Sequence, residues 1–173
     1  MGFLAVDHLS RRIGAVVDQK KKKTLYGKCL INGMEVILLK PQTFMNLSGE
    51  AVLYMASFLK IPPQDIIVVC DDVVLPFGAI RIRESGSDGG HNGLKSLITS
   101  LDSSEFPRIR IGVEAPRTAD QDRREYVLEP YTSEERDRLP EILDRATDAL
   151  LLLVGGRQQI AMSRCNGALP EPV

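Results

Sequence analysis

The segment Asp65-Ile66-Ile67-Val68-Val69-Cys70 is almost entirely apolar, and two adjacent carboxylates, Asp71 and Asp72, follow it. A short apolar run of this kind is typical of a strand that is covered on both faces. Ligands of open α/β sheets lie beyond the carboxyl ends of such strands. One of the two carboxylates is therefore a candidate for orienting a histidine, although aspartate is also common in simple turns.

Helices and strands alternate on both sides of this segment. Two strands joined by Asn32-Gly33 read as a β-hairpin. Strands are expected over residues 24–31, 35–40, 65–70, 79–83 and 108–113, and helices over 2–17, 46–60, 91–101 and 133–154. We predict an α/β fold, with one mixed β-sheet flanked by helices on both faces. The expected boundaries are a single domain over residues 1–155 and a loosely attached C-terminal tail over residues 156–173.

The composition of the chain narrows the classes of function that are possible. The chain has 173 residues, 43% of them hydrophobic, and a net charge of −1, so any binding of nucleic acid must come from a local basic patch. Apolar stretches such as Ala149–Val154 are too short to span a bilayer. Three cysteines without metal-ligand spacing indicate reduced thiols in a cytoplasmic protein. With only His8 and His91, the choice of a catalytic base is narrow.

Two polar segments stand next to predicted helix starts. In Thr43-Phe44-Met45-Asn46-Leu47-Ser48-Gly49, Asn46 either caps a helix or presents its amide to a ligand near a helix N-terminus. Phe44 offers a stacking face for a base. In Gly89-Gly90-His91-Asn92-Gly93, the glycines allow close approach of a ligand, but His91 is equally compatible with a structural role and Asn92 with a cap.

Basic residues occur in two patterns. Arg81, Arg83, Arg108 and Arg110 occupy alternating strand positions, so each pair points to one sheet face; solvated strands and phosphate-binding strands both show this pattern. The run Lys20–Lys23 favours a solvated loop over a binding site.

Taken together, the motifs resemble the bacterial peptidyl-tRNA hydrolase family, in order and in spacing. The matching stretches are Lys40-Pro41-Gln42-Thr43-Phe44-Met45-Asn46-Leu47-Ser48-Gly49, Asp71-Asp72-Val73-Val74-Leu75-Pro76-Phe77-Gly78, Gly89-Gly90-His91-Asn92-Gly93-Leu94-Lys95, Phe106-Pro107-Arg108-Ile109-Arg110-Ile111-Gly112 and, more weakly, Tyr126-Val127-Leu128. The resemblance implies hydrolysis of the ester between peptide and tRNA in translation and ribosome rescue, without metal or cofactor. It also implies a cytoplasmic monomer that recognises the acceptor stem and 3′ end of tRNA, and neither DNA nor a membrane.

The resemblance implies a role for each site residue. Asp71 would keep the catalytic histidine in its basic form, Asn46 would lie near the scissile ester, and His91 would support the active site. Met45 would line the substrate cleft. The resemblance further implies that five residues contact the tRNA: Phe44, Asn46, Asn92, Arg83 and Arg110.

The family also has an N-terminal part that this sequence does not contain. It begins with a strand, a Gly-Asn-Pro-Gly turn and a Thr-Arg-His-Asn segment, which would precede Met1 and which carry the general base. We therefore expect an N-terminally truncated chain that is inactive as written. Two alternatives remain: a non-hydrolytic RNA-binding relative, and an unrelated nucleotide-binding α/β enzyme. The second ranks last because the sequence has no phosphate-loop or dinucleotide fingerprint.

Overall fold

The structure is a computed structural model that describes residues 1–114 and 130–169. The helices are α1 (Gly2–Arg12), α2 (Ser48–Leu59), α3 (Asn92–Leu101), α4 (Ser133–Val154) and α5 (Gln158–Cys165). The strands are β1 (Gln19–Lys21), β2 (Thr24–Ile31), β3 (Met34–Pro41), β4 (Val68–Asp72), β5 (Ile80–Arg83) and β6 (Arg108–Gly112). The predicted α/β class is confirmed. Within residues 1–114 and 130–169 the strands form two three-stranded sheets instead of the one sheet that we expected.

The first sheet is antiparallel and has the order β1-β2-β3. Asn32 and Gly33 connect β2 to β3 with φ values of 52° and 82°, as a type I′ turn requires. The predicted hairpin is therefore confirmed. At the opposite end of the hairpin Thr24 pairs with Pro41, so the β1–β2 turn and the exit of β3 lie side by side.

The second sheet has the order β4-β6-β5. The Val68 N–H donates to the Pro107 carbonyl at 2.9 Å, and the Val113 N–H donates to the Asp72 carbonyl at 3.0 Å. Because partner numbers rise together along both strands, β4 and β6 are parallel. β4 begins later than expected and includes both aspartates, so Asp71 and Asp72 are strand residues and not turn residues.

The described residues group into two compact units. Unit 1 consists of Met1–Ala5, Val69–Ile82 and the described part of Ile109–Val173, and unit 2 consists of Val6–Val68 and Arg83–Arg108. The boundary that we expected at residue 155 does not separate them, because unit 1 contains both α4 and α5.

Helix α4 has the predicted bounds because its start is encoded locally. The Thr132 hydroxyl accepts from the Glu135 N–H at 3.2 Å, and the Glu135 carboxylate accepts from the Thr132 N–H at 2.7 Å. This reciprocal capping box satisfies two N–H groups at the helix start. The helix continues past Pro140 to Val154. None of the helices in the described ranges is long and apolar enough to cross a membrane.

The segment after α4 is not the loosely attached tail that we expected. Arg145 of α4 donates to the carbonyls of Cys165 at 3.3 Å and Ala168 at 3.2 Å. Gly167 forms an isolated antiparallel bridge with Ile80. Residues 158–169 are therefore part of unit 1, and their attachment depends on partners far away in the sequence.

Candidate functional site

The Phe44–Asn46 segment lies between β3 and α2 in unit 2. A short 3₁₀ helix, Met45–Leu47, joins the two elements. The side chain of Phe44 is 81% exposed, that of Met45 is 52% exposed, and Asn46 is exposed as well. An aromatic ring with this exposure contributes little to the core, so the segment presents an apolar face and an amide to solvent.

Asn46 does not serve as a helix cap. The 3₁₀ helix has Phe44 as its N-cap and α2 has Leu47, and neither cap makes a side-chain hydrogen bond. The Ser48 hydroxyl instead donates to the Met45 carbonyl at 2.9 Å. Of the two interpretations of Asn46, capping is therefore wrong for the described helices, and the ligand role of the amide stays a prediction.

His91 is the N-cap of α3. Its Nδ1 accepts hydrogen bonds from the Gly93 N–H at 3.1 Å and the Leu94 N–H at 3.2 Å. Because Nδ1 is an acceptor, a neutral ring carries its proton on Nε2. The expected structural role of His91 is therefore present in the fold, and Asn92 follows as the first residue of α3.

The structure brings the two segments of unit 2 together. The Gly49 N–H donates to the Ser96 hydroxyl at 3.0 Å, which ties the start of α2 to α3. A Cβ at Gly93 would lie 2.6 Å from the Met45 sulfur and 2.9 Å from Cε1 of His91. A side chain at this position would force Met45 or His91 to shift, so Met45 and His91 flank the same point at the start of α3.

Asp71 lies near the end of β4 in unit 1 and is 9% exposed. Burial lowers the pKa of the Met1 amino group, and the carboxylate of Asp71, together with Cys70, acts in the opposite direction. That influence places the Asp71 carboxylate within electrostatic range of the first residue of the chain.

Asp72, the next residue of β4, pairs with Arg110. Its Oδ2 lies 3.0 Å from Nε of Arg110, and its Oδ1 accepts from the Val74 N–H at 2.9 Å. Asp72 is 3% exposed and Arg110 is 16% exposed. The Nε atom forms no hydrogen bond with any described residue, so charge attraction and not hydrogen-bond direction holds this pair. Sequence reasoning missed the pair because only the β4–β6 pairing brings its two members together.

The four strand arginines do not behave alike. Arg81 and Arg83 are exposed on β5, as the alternation predicted. Arg108 is 2% exposed and donates to the carbonyls of Gly86 at 2.6 Å, Ser87 at 3.1 Å and Ser104 at 2.7 Å. Arg108 is therefore a structural residue that holds two loops of unit 2, and its strand position contained no signal of that burial.

The predicted site residues thus fall in both units. Unit 2 holds Phe44, Met45, Asn46, Arg83, His91 and Asn92, and unit 1 holds Asp71 and Arg110. Within the two described ranges, no group of three or more His, Cys, Asp or Glu side chains is arranged to hold a metal ion. Tyr126-Val127-Leu128, the weakest of the sequence motifs, lies outside the described residues.

Comparison with known proteins identifies the family. A family model described as peptidyl-tRNA hydrolase matches residues 1–172. The peptidyl-tRNA hydrolase of Caldanaerobacter subterraneus subsp. tengcongensis is 46% identical over 167 residues, which cover 96% of this chain and 89% of that protein. The peptidyl-tRNA hydrolase of Clostridium acetobutylicum is 43% identical over 167 residues, which cover 96% of this chain and 88% of that protein. The crystal structure of peptidyl-tRNA hydrolase from Acinetobacter baumannii has a TM-score of 0.90 at 31% identity, over 98% of this chain and 86% of that one.

These matches decide between the expectations drawn from the sequence. The comparisons do not bear out the expectation of a missing N-terminal segment or of the inactivity that would follow from it. An unrelated nucleotide-binding enzyme is excluded. The chain belongs to the peptidyl-tRNA hydrolase family.

Proposed function

We propose that this chain hydrolyses the ester bond of peptidyl-tRNA and so releases peptide and tRNA for reuse after translation has stalled or aborted. The observation that carries the proposal is the exposed amide of Asn46. It stands beside an exposed aromatic ring and caps neither of the helices that meet there. A polar side chain without a local structural task, placed next to an apolar ring, suits recognition of a substrate that combines a base with an ester.

Asn46 would stabilise the reacting ester. When water attacks the ester carbonyl, negative charge develops on the carbonyl oxygen, and an amide N–H at hydrogen-bond distance lowers the energy of that state. The carbonyl then reforms, the bond to the terminal ribose oxygen of the tRNA breaks, and that oxygen takes up a proton. The products are a peptide carboxylate and a tRNA with a free terminal hydroxyl.

Phe44 and Met45, which directly precede Asn46, would hold the substrate at this amide. The exposed ring of Phe44 offers a face on which a base of the tRNA 3′ end stacks. Met45, which flanks Gly93 together with His91, would line the cleft with a side chain that adapts to different peptides.

Asp71 would act on the group that takes a proton from the attacking water. A buried carboxylate beside a general base holds that base in its productive form and stabilises the cation it becomes. The carboxylate lies at the carboxyl end of a strand that is parallel to its neighbour, where α/β folds place their ligands.

His91 would position the site rather than transfer the proton. Its Nδ1 already accepts two backbone N–H groups at the start of α3, so the acceptor nitrogen of the ring is engaged in capping the helix. In this role His91 fixes the start of α3, and with it Asn92, which would contact the tRNA or the attacking water.

The two arginines that the resemblance implies as tRNA contacts, Arg83 and Arg110, would contribute unequally. Arg83 is exposed and would contact a phosphate of the acceptor stem or 3′ end, while Arg110 would contribute less because Asp72 already offsets its charge.

We place the reaction in the cytoplasm, where translation takes place, and propose a monomer that needs no cofactor or metal and does not act on DNA.

The test is a hydrolysis assay with N-acetylated aminoacyl-tRNA, in which the release of free tRNA is measured over time. We expect release by the wild-type chain and roughly 10²–10³-fold slower release by Asn46→Ala, the effect of removing an oxyanion donor. Gln42→Ala is the matched control, since it removes another exposed amide four residues earlier and should keep the wild-type rate.

Two results would overturn the proposal. Binding of the substrate without any release would indicate a non-hydrolytic RNA-binding protein. Equal rates for Asn46→Ala and Gln42→Ala would remove Asn46 from the reacting centre.

A further inference from the structure

Two lysines of unit 2 lie over aromatic rings of α2. The Lys21 ammonium is 3.2 Å from the ring centroid of Phe58 and 6.0 Å from that of Tyr54, and the Lys22 ammonium is 5.8 Å from the centroid of Tyr54. Phe58 is 59% exposed. We call Lys21, Lys22, Tyr54 and Phe58 the lysine–aromatic cluster. The expected solvated loop describes Lys20, Lys22 and Lys23, which are exposed, but not Lys21, which lies over Phe58.

The backbone of the β1–β2 turn is constrained in a way that lysine does not favour. Lys22 and Lys23 have φ values of 43° and 57°, the left-handed region in which Asn and Gly are preferred at a two-residue hairpin turn. The same chain uses Asn32-Gly33 at the next turn. Lysine at these positions therefore adds backbone strain, and strain of this kind is concentrated at functional positions.

The two ammonium groups of the cluster form no ion pair with a described residue. None of the ion pairs in the described part of the chain involves Lys20 to Lys23. The nearest acidic residue on the same stripe of α2 is Glu50, one turn before Tyr54, and Asp18 precedes β1. Stacking on the rings limits the rotamers of Lys21 and Lys22, so binding an anion would cost them less conformational entropy.

The cluster is joined to the segment that carries Asn46. The Gln42 N–H donates to the Lys23 carbonyl at 2.7 Å, so the turn lies at the exit of β3. Helix α2 begins at Ser48 and reaches Phe58 ten residues later, a rise of about 15 Å along its axis. The cluster therefore lies within unit 2 at a distance that a few nucleotides of RNA would cover.

We propose that the lysine–aromatic cluster is a second RNA contact, which binds the tRNA phosphate backbone outside the reacting 3′ end. The proposal rests on the proposed function for the identity of the RNA. Pre-positioned ammonium groups beside exposed rings are the combination that binds nucleic-acid strands without reading their sequence. An acidic protein surface would engage the charges but would leave the exposed ring of Phe58 without a stacking partner.

The experiment compares two pairs of lysines, one pair inside the lysine–aromatic cluster and one pair outside it. Successive side chains of β1 alternate between the faces of the sheet, so Lys20 projects away from the side on which Lys21 meets α2. The test variant is Lys21→Gln with Lys22→Gln, and the control with the same change in net charge is Lys20→Gln with Lys28→Gln. Glutamine removes the charge, shortens the side chain by one atom and leaves the backbone strain at residue 22 in place.

Binding of deacylated tRNA is measured over a range of salt concentrations. We expect the test variant to reduce the slope of log affinity against log salt by about 1.4–1.8, because each phosphate that a lysine no longer neutralises lowers the slope by about 0.7–0.9. The control should keep the wild-type slope. KM for peptidyl-tRNA should rise in the test variant alone. Phe58→Leu, which removes the ring and keeps an apolar side chain, should weaken binding without changing the net charge.

A short ester substrate that carries only the 3′-terminal nucleotides of tRNA separates this inference from the proposed function. Turnover of that substrate should be equal in wild type, test variant and control, and failure of the wild type to cleave it would speak against the proposed function alone. Equal tRNA affinity and equal salt slope in test variant and control would overturn the second RNA contact. Loss of binding to anionic-lipid vesicles with unchanged tRNA binding would overturn it as well and would assign the surface to a membrane.

Discussion

The Phe44–Asn46 segment and the Asp71–Asp72 segment were both identified from sequence as candidate site regions, but the structure builds them in opposite ways. The first is exposed, uncharged and, at Asn46, without a capping role. The second is buried and charged, and Asp72 is already paired with Arg110 and the backbone. Exposed side chains can be changed with little effect on folding, whereas each buried charge is tied to the stability of its unit.

Mutants of the two segments should therefore behave differently. Changes in the exposed segment should alter binding and catalysis while leaving the free energy of unfolding unchanged. Changes in the buried segment should alter stability, except where the charge acts on the reaction itself. Asp71 and Asp72 are adjacent residues on which these two behaviours can be separated.

The largest effect is expected for Asp71→Asn. The amide keeps the size of the side chain but cannot stabilise a cationic base, so kcat for peptidyl-tRNA should fall by about 10²–10⁴-fold while KM stays near its wild-type value. Steady-state kinetics measure both constants. Asp65→Asn, an exposed aspartate before β4, is the control and should be fully active. A raised KM with unchanged kcat would make Asp71 a binding residue instead.

The next effect is on stability. Arg110→Gln leaves the buried carboxylate of Asp72 without its cation, and we expect a loss of about 3–5 kcal/mol in the free energy of unfolding. Urea denaturation followed by circular dichroism measures the loss. Arg81→Gln, on the exposed face of β5, should stay within about 0.5 kcal/mol of wild type.

A second variant separates the charge pair from simple packing. The double variant with Arg110→Gln and Asp72→Asn removes both charges and keeps an oxygen that accepts from the Val74 N–H. It should recover most of the lost stability, because no unpaired charge remains buried. A double variant that is no more stable than Arg110→Gln would show that the pair contributes through packing alone.

In the exposed segment, Phe44→Ala should weaken tRNA binding and leave folding intact. Loss of one stacked base costs about 1–3 kcal/mol, which corresponds to roughly a five- to 150-fold higher Kd. Titration with labelled tRNA measures the affinity, and thermal unfolding should stay at the wild-type midpoint. Val74→Ala, which truncates an exposed apolar side chain of unit 1, is the control. Unchanged affinity in Phe44→Ala would contradict the stacking role.

The smallest effect is expected at the start of α3. His91→Ala removes the cap and should cost about 0.5–2 kcal/mol of stability, while His91→Asn provides another capping side chain and should recover most of it. If His91 only positions the site, His91→Asn should also retain turnover within a few-fold of wild type. A stable His91→Asn variant with turnover reduced more than about 100-fold would assign proton transfer to His91.

Elements with local signals were predicted well. The bounds of α4 follow from the Thr132 and Glu135 capping box, and the β2–β3 hairpin follows from Asn32-Gly33, because turn and cap chemistry involve residues close in sequence. The end of α1 was predicted too late: the helix stops at Arg12, and Gly14 has a φ of 68°. The apolar spacing that continues to Val17 outweighed the glycine in the sequence reading.

Elements that depend on distant partners were not predicted. The division into two sheets, the burial of Arg108 and the attachment of residues 158–169 all rest on contacts between segments far apart in the chain. Arg108 and Arg110 occupy alternating positions of the same strand, β6. Only the loop carbonyls of Gly86 and Ser87 distinguish a structural arginine from one that faces a carboxylate.

The sequence by itself determined the α/β class, the family and the identity of the candidate residues, because motif order, hydrophobic periodicity and turn residues are properties of the chain. The tertiary structure alone decided what each polar residue has left to offer a ligand. Asn46 is released from capping, His91 is engaged in it, Arg110 is paired with Asp72, and Lys21 is held over Phe58. The physical reason is that hydrogen-bonding capacity and charge are used up by neighbours in space, and sequence spacing does not specify those neighbours.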